Sequence, residues 1–173
     1  MSMTLDGQIR LAILTISDKA STGEREDAGG PAIRDALAAA GVAVFEVDYR
    51  VIPDEEQRIG EALFHWSERS DVDLILTTGG TGLAPRDVTP QATLHAIDYE
   101  VPGIAEAMRA ASLKVTPAGM LSRGVAGVRK RTLIVNLPGN PKAVRENLAV
   151  IAAALPHAVS TLRGEVGEHS RPA

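Results

Sequence analysis

Two aspartates, Asp54 and Asp87, and a glycine turn, Gly79-Gly80-Thr81-Gly82, are the residues of this chain best suited to chemistry. Glycines permit positive φ and let a ligand approach the backbone closely, so their N–H groups can point at an anion. Carboxylates beside such a turn suit Mg²⁺, which binds through one or two carboxylates plus phosphate oxygens. Arg86 and Lys142 stand ready to neutralise further phosphate charge. Plainer readings exist for each. GGTG is neither the phosphate loop nor the dinucleotide turn, and a lone glycine turn is often structural. Asp54 follows Pro53 and precedes Gln57 with the D-x-x-Q spacing of a capping box, so it fits a helix N-cap. Asp87 could shape its loop or pair with Arg86, an exposed pairing worth under about 1 kcal/mol. Ser17-Asp18 could simply end a strand, and Ser122-Arg123 could be ordinary loop residues.

The elements that must position these residues follow from apolar patterning. Residues 9–16, 42–51, 74–76 and 132–137 read as buried strands. Helices are expected from Pro31 to about Ala40, and from Pro53-Asp54 onward with Ile59, Leu63 and Trp66 as the apolar stripe. Another runs from Thr89 as N-cap and Pro90 as first residue to about Ile97, and another over 103–114. The last begins at Pro138-Gly139-Asn140-Pro141 and shows Val144, Leu148, Ile151 and Leu155 as one continuous core face. Residues 116–127 could hold a short strand or hairpin. Strand–helix units in succession imply an α/β fold: a single-domain, three-layer, open and mostly parallel sheet with helices on both faces. Segments 17–31, 53–54, 79–90 and 137–142 each follow a strand, so a parallel sheet brings all four to its carboxyl edge.

Composition narrows the field. The 173 residues are 45% hydrophobic and 23% charged, which fits a soluble globular domain, and at 3% aromatic the core must be aliphatic. The domain is expected over 9–163, with an extension at 1–8 and a polar, disordered tail at 164–173. With no cysteine and four scattered histidines, a thiol nucleophile, a disulfide framework and a zinc site are not expected. Net charge of −4 argues against general nucleic-acid binding. No run is long enough to span a bilayer, and the N-terminus lacks a signal-peptide core, so a cytoplasmic location is expected.

The string TTGGTGLAPRDVTP, residues 77–90, resembles the molybdopterin-binding signature of the MogA/MoaB/gephyrin G-domain family. SDKASTGEREDAGGP resembles the family's first loop and VIPDE its second-strand exit. VPGIAEAMR, MLSRGVAGVR and LIVNLPGNPKAV are similar to its later blocks and LPHAVSTLR to its closing helix, in order, to about residue 163. The RDVTP and PDE forms are more like the MogA and gephyrin branch than the MoaB branch. The resemblance implies Mg²⁺-dependent transfer of the adenylyl group of ATP to the terminal phosphate of molybdopterin. It assigns catalysis and Mg²⁺ binding to Asp54 and Asp87. It assigns substrate and nucleotide binding to Ser17, Asp18, Thr78, Gly79, Gly80, Thr81, Gly82, Arg86, Ser122, Arg123, Pro138, Gly139, Asn140 and Lys142. It further implies a homotrimer and hand-off of the product to a separate metal-insertion protein. A non-catalytic molybdopterin carrier or scaffold of the same fold is the alternative.

Overall fold

Alternate residues of the strand Ile9–Ile16 (β1) enter different cores: Leu11 and Ile13 join one apolar cluster, Ala12, Leu14 and Ile16 the other. A strand whose two faces are both buried needs helices above and below it. The same division recurs in Leu74–Thr78 (β3) and Thr132–Leu137 (β6). The computed structural model describes residues 7–165; most of the expected extension at 1–8 and tail at 164–173 lies outside them.

With Val44–Ile52 (β2), Tyr99–Glu100 (β4) and Ala126–Arg129 (β5), these strands form one sheet in the order β2-β1-β3-β6-β5-β4. The first four are mutually parallel. β5 turns back antiparallel to β6, and β4 pairs antiparallel with β5. The helices Gly29–Ala39 (α2), Pro102–Leu113 (α5), Pro141–Ile151 (α6) and Leu155–Arg163 (α7) contribute to the cluster on one face. Glu56–Ser67 (α3) and Thr89–Ala96 (α4) fill the other, around the fully buried Trp66. This is the open, mostly parallel α/β sheet expected from the sequence.

Several local expectations need correction. The helix placed at Pro31 begins at Gly29, and a four-residue helix, Asp18–Ser21 (α1), interrupts the first loop. Asp54 does not cap α3. A tight turn, with the Glu55 amide donating to Pro53 O, moves the N-cap to Glu55. Thr89 lies inside α4, and its hydroxyl donates to Gly79 O instead of capping the helix. The segment that periodicity joins into one C-terminal helix is two, α6 and α7, separated by a tighter turn at residues 152–154, and α7 coincides with the closing-helix block LPHAVSTLR. Pro156 enforces the break, since it has no amide to donate back along a continuous helix.

Candidate functional site

All four loops meet at the carboxyl edge of the parallel strands. They line a cleft of about 490 Å³ that includes Ser17, Asp54, Thr78, Gly79, Gly80, Asp87, Gly139 and Asn140. Of the glycine turn, Gly79 and Gly80 line it. Gly79 has φ of +102° and Gly80 of +67°, and a Cβ on Gly79 would lie 2.2 Å from Ile16 O. Only glycine can therefore bring the β3 exit this close to β1. Gly79→Ala should destabilise the fold by about 2–4 kcal/mol through strain and overlap together. Gly103→Ala, where a Cβ meets nothing within 4 Å and φ is not positive, is the control. Urea midpoints of the two variants check this.

Both carboxylates face that turn. Asp54 Oδ1 lies 3.2 Å from where a Cβ on Gly80 would stand, and Asp87 Oδ2 lies 2.8 Å from the corresponding position on Gly82. Asp54 Oδ2 accepts the Asp18 amide at 2.8 Å, and the Asp54 amide donates to Asp18 Oδ1 at 3.0 Å. Asp87 Oδ2 accepts the Ala84 amide at 2.9 Å, which curls the loop 84–87 over the turn. Burial pushes the Asp54 carboxyl upward, reinforced by the charges of Asp18 and Asp87 and opposed by the Asp18 amide and Arg86. A cation or a basic group bound there would favour its ionised form. Asp18 is held below the usual carboxylate range by the Arg86 guanidinium.

Arg86 does not pair with its neighbour Asp87; its Nε and Nη2 grip both oxygens of Asp18, at 2.8 and 2.7 Å. Arg123 is taken up by the central loop. It donates to Gly82 O, to Asp87 O and to Gln91 Oε1, while its amide donates to Thr81 O. The Thr78 hydroxyl donates to Pro138 O at 2.7 Å, joining the central loop to the turn 138–141. Asn140 caps α6, its Oδ1 accepting the amides of Lys142 and Ala143. The Lys142 side chain is 78% exposed, lies 3.7 Å from Glu146 and does not line the cleft. Ser122 and Pro138 border a smaller cavity of about 190 Å³ between α5 and α6, with Asn136 and Asn147.

Sequence reasoning passed over Arg25 and Asp27, both of which line the cleft. Asp27 accepts the amides of Gly29 and Gly30 and the hydroxyls of Thr15 and Tyr49, which fixes the start of α2 at the site. Burial and Asp27 push the Tyr49 phenol up to about 12, so it stays a donor at neutral pH. The available signal was an aspartate two residues before a glycine pair, since Asx side chains commonly accept amides just ahead of them. A larger cleft, about 700 Å³, lies at the opposite sheet edge, around Arg10, Asp73 and Arg163. Those guanidiniums are engaged by Asp73, and the glycine turn is at the other end of the strands.

Comparisons with known proteins place the chain in a family. Residues 12–157 match the family model described as a probable molybdopterin binding domain. A molybdopterin adenylyltransferase of Escherichia coli K12 is 46% identical over 81% of this chain and 72% of its own length. One of Helicobacter pylori J99 is 41% identical over 90% of this chain and 89% of its own. Among solved structures, the molybdopterin biosynthesis enzyme MoaB of Thermus thermophilus superposes with a TM-score of 0.83. It is 53% identical and covers 91% of this chain and 98% of its own. With the family model spanning most of the chain and the site geometry at one sheet edge, this protein belongs to the molybdopterin-binding domain family.

Proposed function

We propose that this protein is a molybdopterin adenylyltransferase, transferring the adenylyl group of ATP to the terminal phosphate of molybdopterin with release of pyrophosphate. The observation that carries this reading is the pair Asp54 and Asp87, both directed at one glycine turn. A simple carrier has no need of paired carboxylates beside bound phosphate. The Escherichia coli and Helicobacter pylori relatives bear the same activity in their names.

The donor set fits Mg²⁺. No three His, Cys, Asp or Glu side chains converge as a metal cage among the described residues. Two carboxylates completed by substrate phosphate oxygens are a usual Mg²⁺ arrangement, and Asp54 and Asp87 would hold the ion. When bound, Mg²⁺ supplies charge neutralisation at the phosphates. The rest falls to this chain. A molybdopterin phosphate oxygen forms a bond to the α-phosphorus of ATP, while the bond from that phosphorus to the bridging oxygen breaks. Pyrophosphate leaves with the electron pair. The nucleophile is already ionised at neutral pH, so positioning and charge neutralisation dominate and no strong general base is required. The Gly79 amide is engaged by Leu137 O, so the phosphate cradle falls to Gly80, Thr81 and Gly82. Ser17 and Thr78 line the same cleft, and Arg25 adds a cation to it. Ser122 with the turn at Pro138 and Gly139 would border the second substrate, beside the smaller cavity. Asn140, Arg123 and Lys142 act on loop shape and surface charge.

The protein would be cytoplasmic, act as a homotrimer and pass its product to a separate metal-insertion protein. No helix among the described residues is long and apolar enough to cross a membrane. The deciding experiment incubates the protein anaerobically with molybdopterin and Mg-ATP and measures adenylylated molybdopterin and pyrophosphate. Both products are expected. Tight molybdopterin binding with ATP left intact would instead identify a carrier.

A further inference from the structure

Asp18 and Arg86 come from different loops and are 68 residues apart in sequence, yet their side chains meet beside the cleft. Arg86 Nε and Nη2 reach both carboxylate oxygens of Asp18 at 2.8 and 2.7 Å, a bidentate geometry with defined direction. The backbone of Asp18 is in turn locked to Asp54. The Asp18 amide donates to Asp54 Oδ2, and the Asp54 amide donates to Asp18 Oδ1. One Asp54 oxygen is thereby fixed by the first loop, and the other, Oδ1, is left facing Gly80. The short helix α1 that follows Ser17 keeps this peptide in register, its Ser17 N-cap hydroxyl accepting the Ala20 amide. The Ser17 amide is itself pinned to Ile52 O at 2.9 Å.

We propose that Asp18 and Arg86 are positioning residues: their ion pair holds the Asp18 amide against Asp54 and so aims the Asp54 carboxylate at the glycine turn. This rests on the adenylyltransferase reading for its catalytic consequence, although the clamp itself does not. It assigns both residues a different role from direct phosphate binding. The two roles predict opposite behaviour for Asp18. If Arg86 served the phosphates directly, Asp18 would compete for it, and removing the Asp18 charge would tighten nucleotide binding. As a clamp, the pair fails when either half is lost.

Four proteins test this: wild type, Asp18→Asn, Arg86→Gln and the double variant. Each single variant should lower kcat by about ten- to a hundredfold, the scale of a small misplacement of a catalytic group. ATP affinity should change less than about threefold, and the double variant should be no worse than either single one, because the pair acts as a unit. Arg86→Lys, which restores charge without the fork, should recover only part of the rate. Amide hydrogen exchange supplies a readout independent of turnover. In Arg86→Gln the Asp18 and Asp54 amides should lose protection while those of β6 keep it. Tighter ATP binding in Asp18→Asn, additive losses in the double variant, or unchanged protection of the two amides would overturn the clamp. If wild type makes no adenylylated molybdopterin, the functional reading fails, and the exchange data still decide the clamp.

Discussion

Asp87→Asn is expected to lower the rate of adenylyl transfer by about a hundred- to a thousandfold, the usual scale for deleting one preorganised electrostatic group. That corresponds to about 3–4 kcal/mol at the transition state. Molybdopterin affinity should change less than about threefold. The separation follows from what the substitution leaves intact. An asparagine oxygen can still accept the Ala84 amide, as Asp87 Oδ2 does at 2.9 Å. Arg123 continues to hold the loop from the other side, through Gly82 O and Asp87 O. The loop keeps its shape, and only a unit of negative charge beside the glycine turn is removed. That charge would hold the Mg²⁺ that neutralises the phosphates at the reacting centre, so its loss weighs on the chemical step. Single-turnover assays with molybdopterin and Mg-ATP, beside direct molybdopterin binding, separate the two quantities. An equal fall in both would place Asp87 in substrate binding and outside the chemical step.

The placement of this centre was legible from the sequence because it depends on topology. β1, β3 and β6 each centre on an uninterrupted run of at least three apolar residues, and parallel pairing delivers the loop after each to one edge whatever the side chains do there. Local reading failed where a polar side chain had a tertiary partner outranking its local one. Asp54 has the spacing of a capping residue, but its carboxylate is taken by the Asp18 amide from another loop. Thr89 stands in a good N-cap position and is turned instead to Gly79 O. Arg86 sits beside Asp87 in sequence and reaches Asp18 in space. None of these partners is within a helical turn, so no local pattern reports them.

Shorter features were lost for different reasons. β4 is only two residues long and both are exposed, leaving no apolar alternation to detect. Val144, Leu148, Ile151 and Leu155 keep helical spacing across the break between α6 and α7, since all four stay buried on one side. Periodicity reports the buried face and is blind to the missing amide of Pro156. Asp27 was overlooked because its role is to accept four donors drawn from the start of α2, β1 and β2, an arrangement that exists only after the sheet is built.

The largest stability effect is expected at the other end of the strands. Asp73, 3% exposed at the entry to β3, accepts the Arg10 amide and guanidinium and the Arg163 guanidinium. Arg163 also donates to Gln8 O, so the single carboxylate ties β1, β3 and the end of α7 together. Asp73→Ala leaves two guanidiniums facing each other with their buried counter-charge gone and only the exposed Glu165, 3.6 Å from Arg163, still paired to one of them, and should cost about 3–5 kcal/mol at neutral pH, as removal of one partner from a buried ionic group does. Its pH dependence has a definite sign. Burial raises the Asp73 pKa, but the bonds from Arg10 and Arg163 outweigh it and hold the carboxyl well below the usual range. A group depressed in the folded state stabilises fully above its unfolded pKa of about 3.9 and loses that contribution as pH falls toward its folded value. The stability gap between wild type and Asp73→Ala should therefore be constant from pH 7 to about pH 5 and narrow below about pH 4. Urea denaturation across that range tests it. A gap that stays constant down to about pH 2.5 would mean that the loss comes from packing around Asp73 and not from its charge.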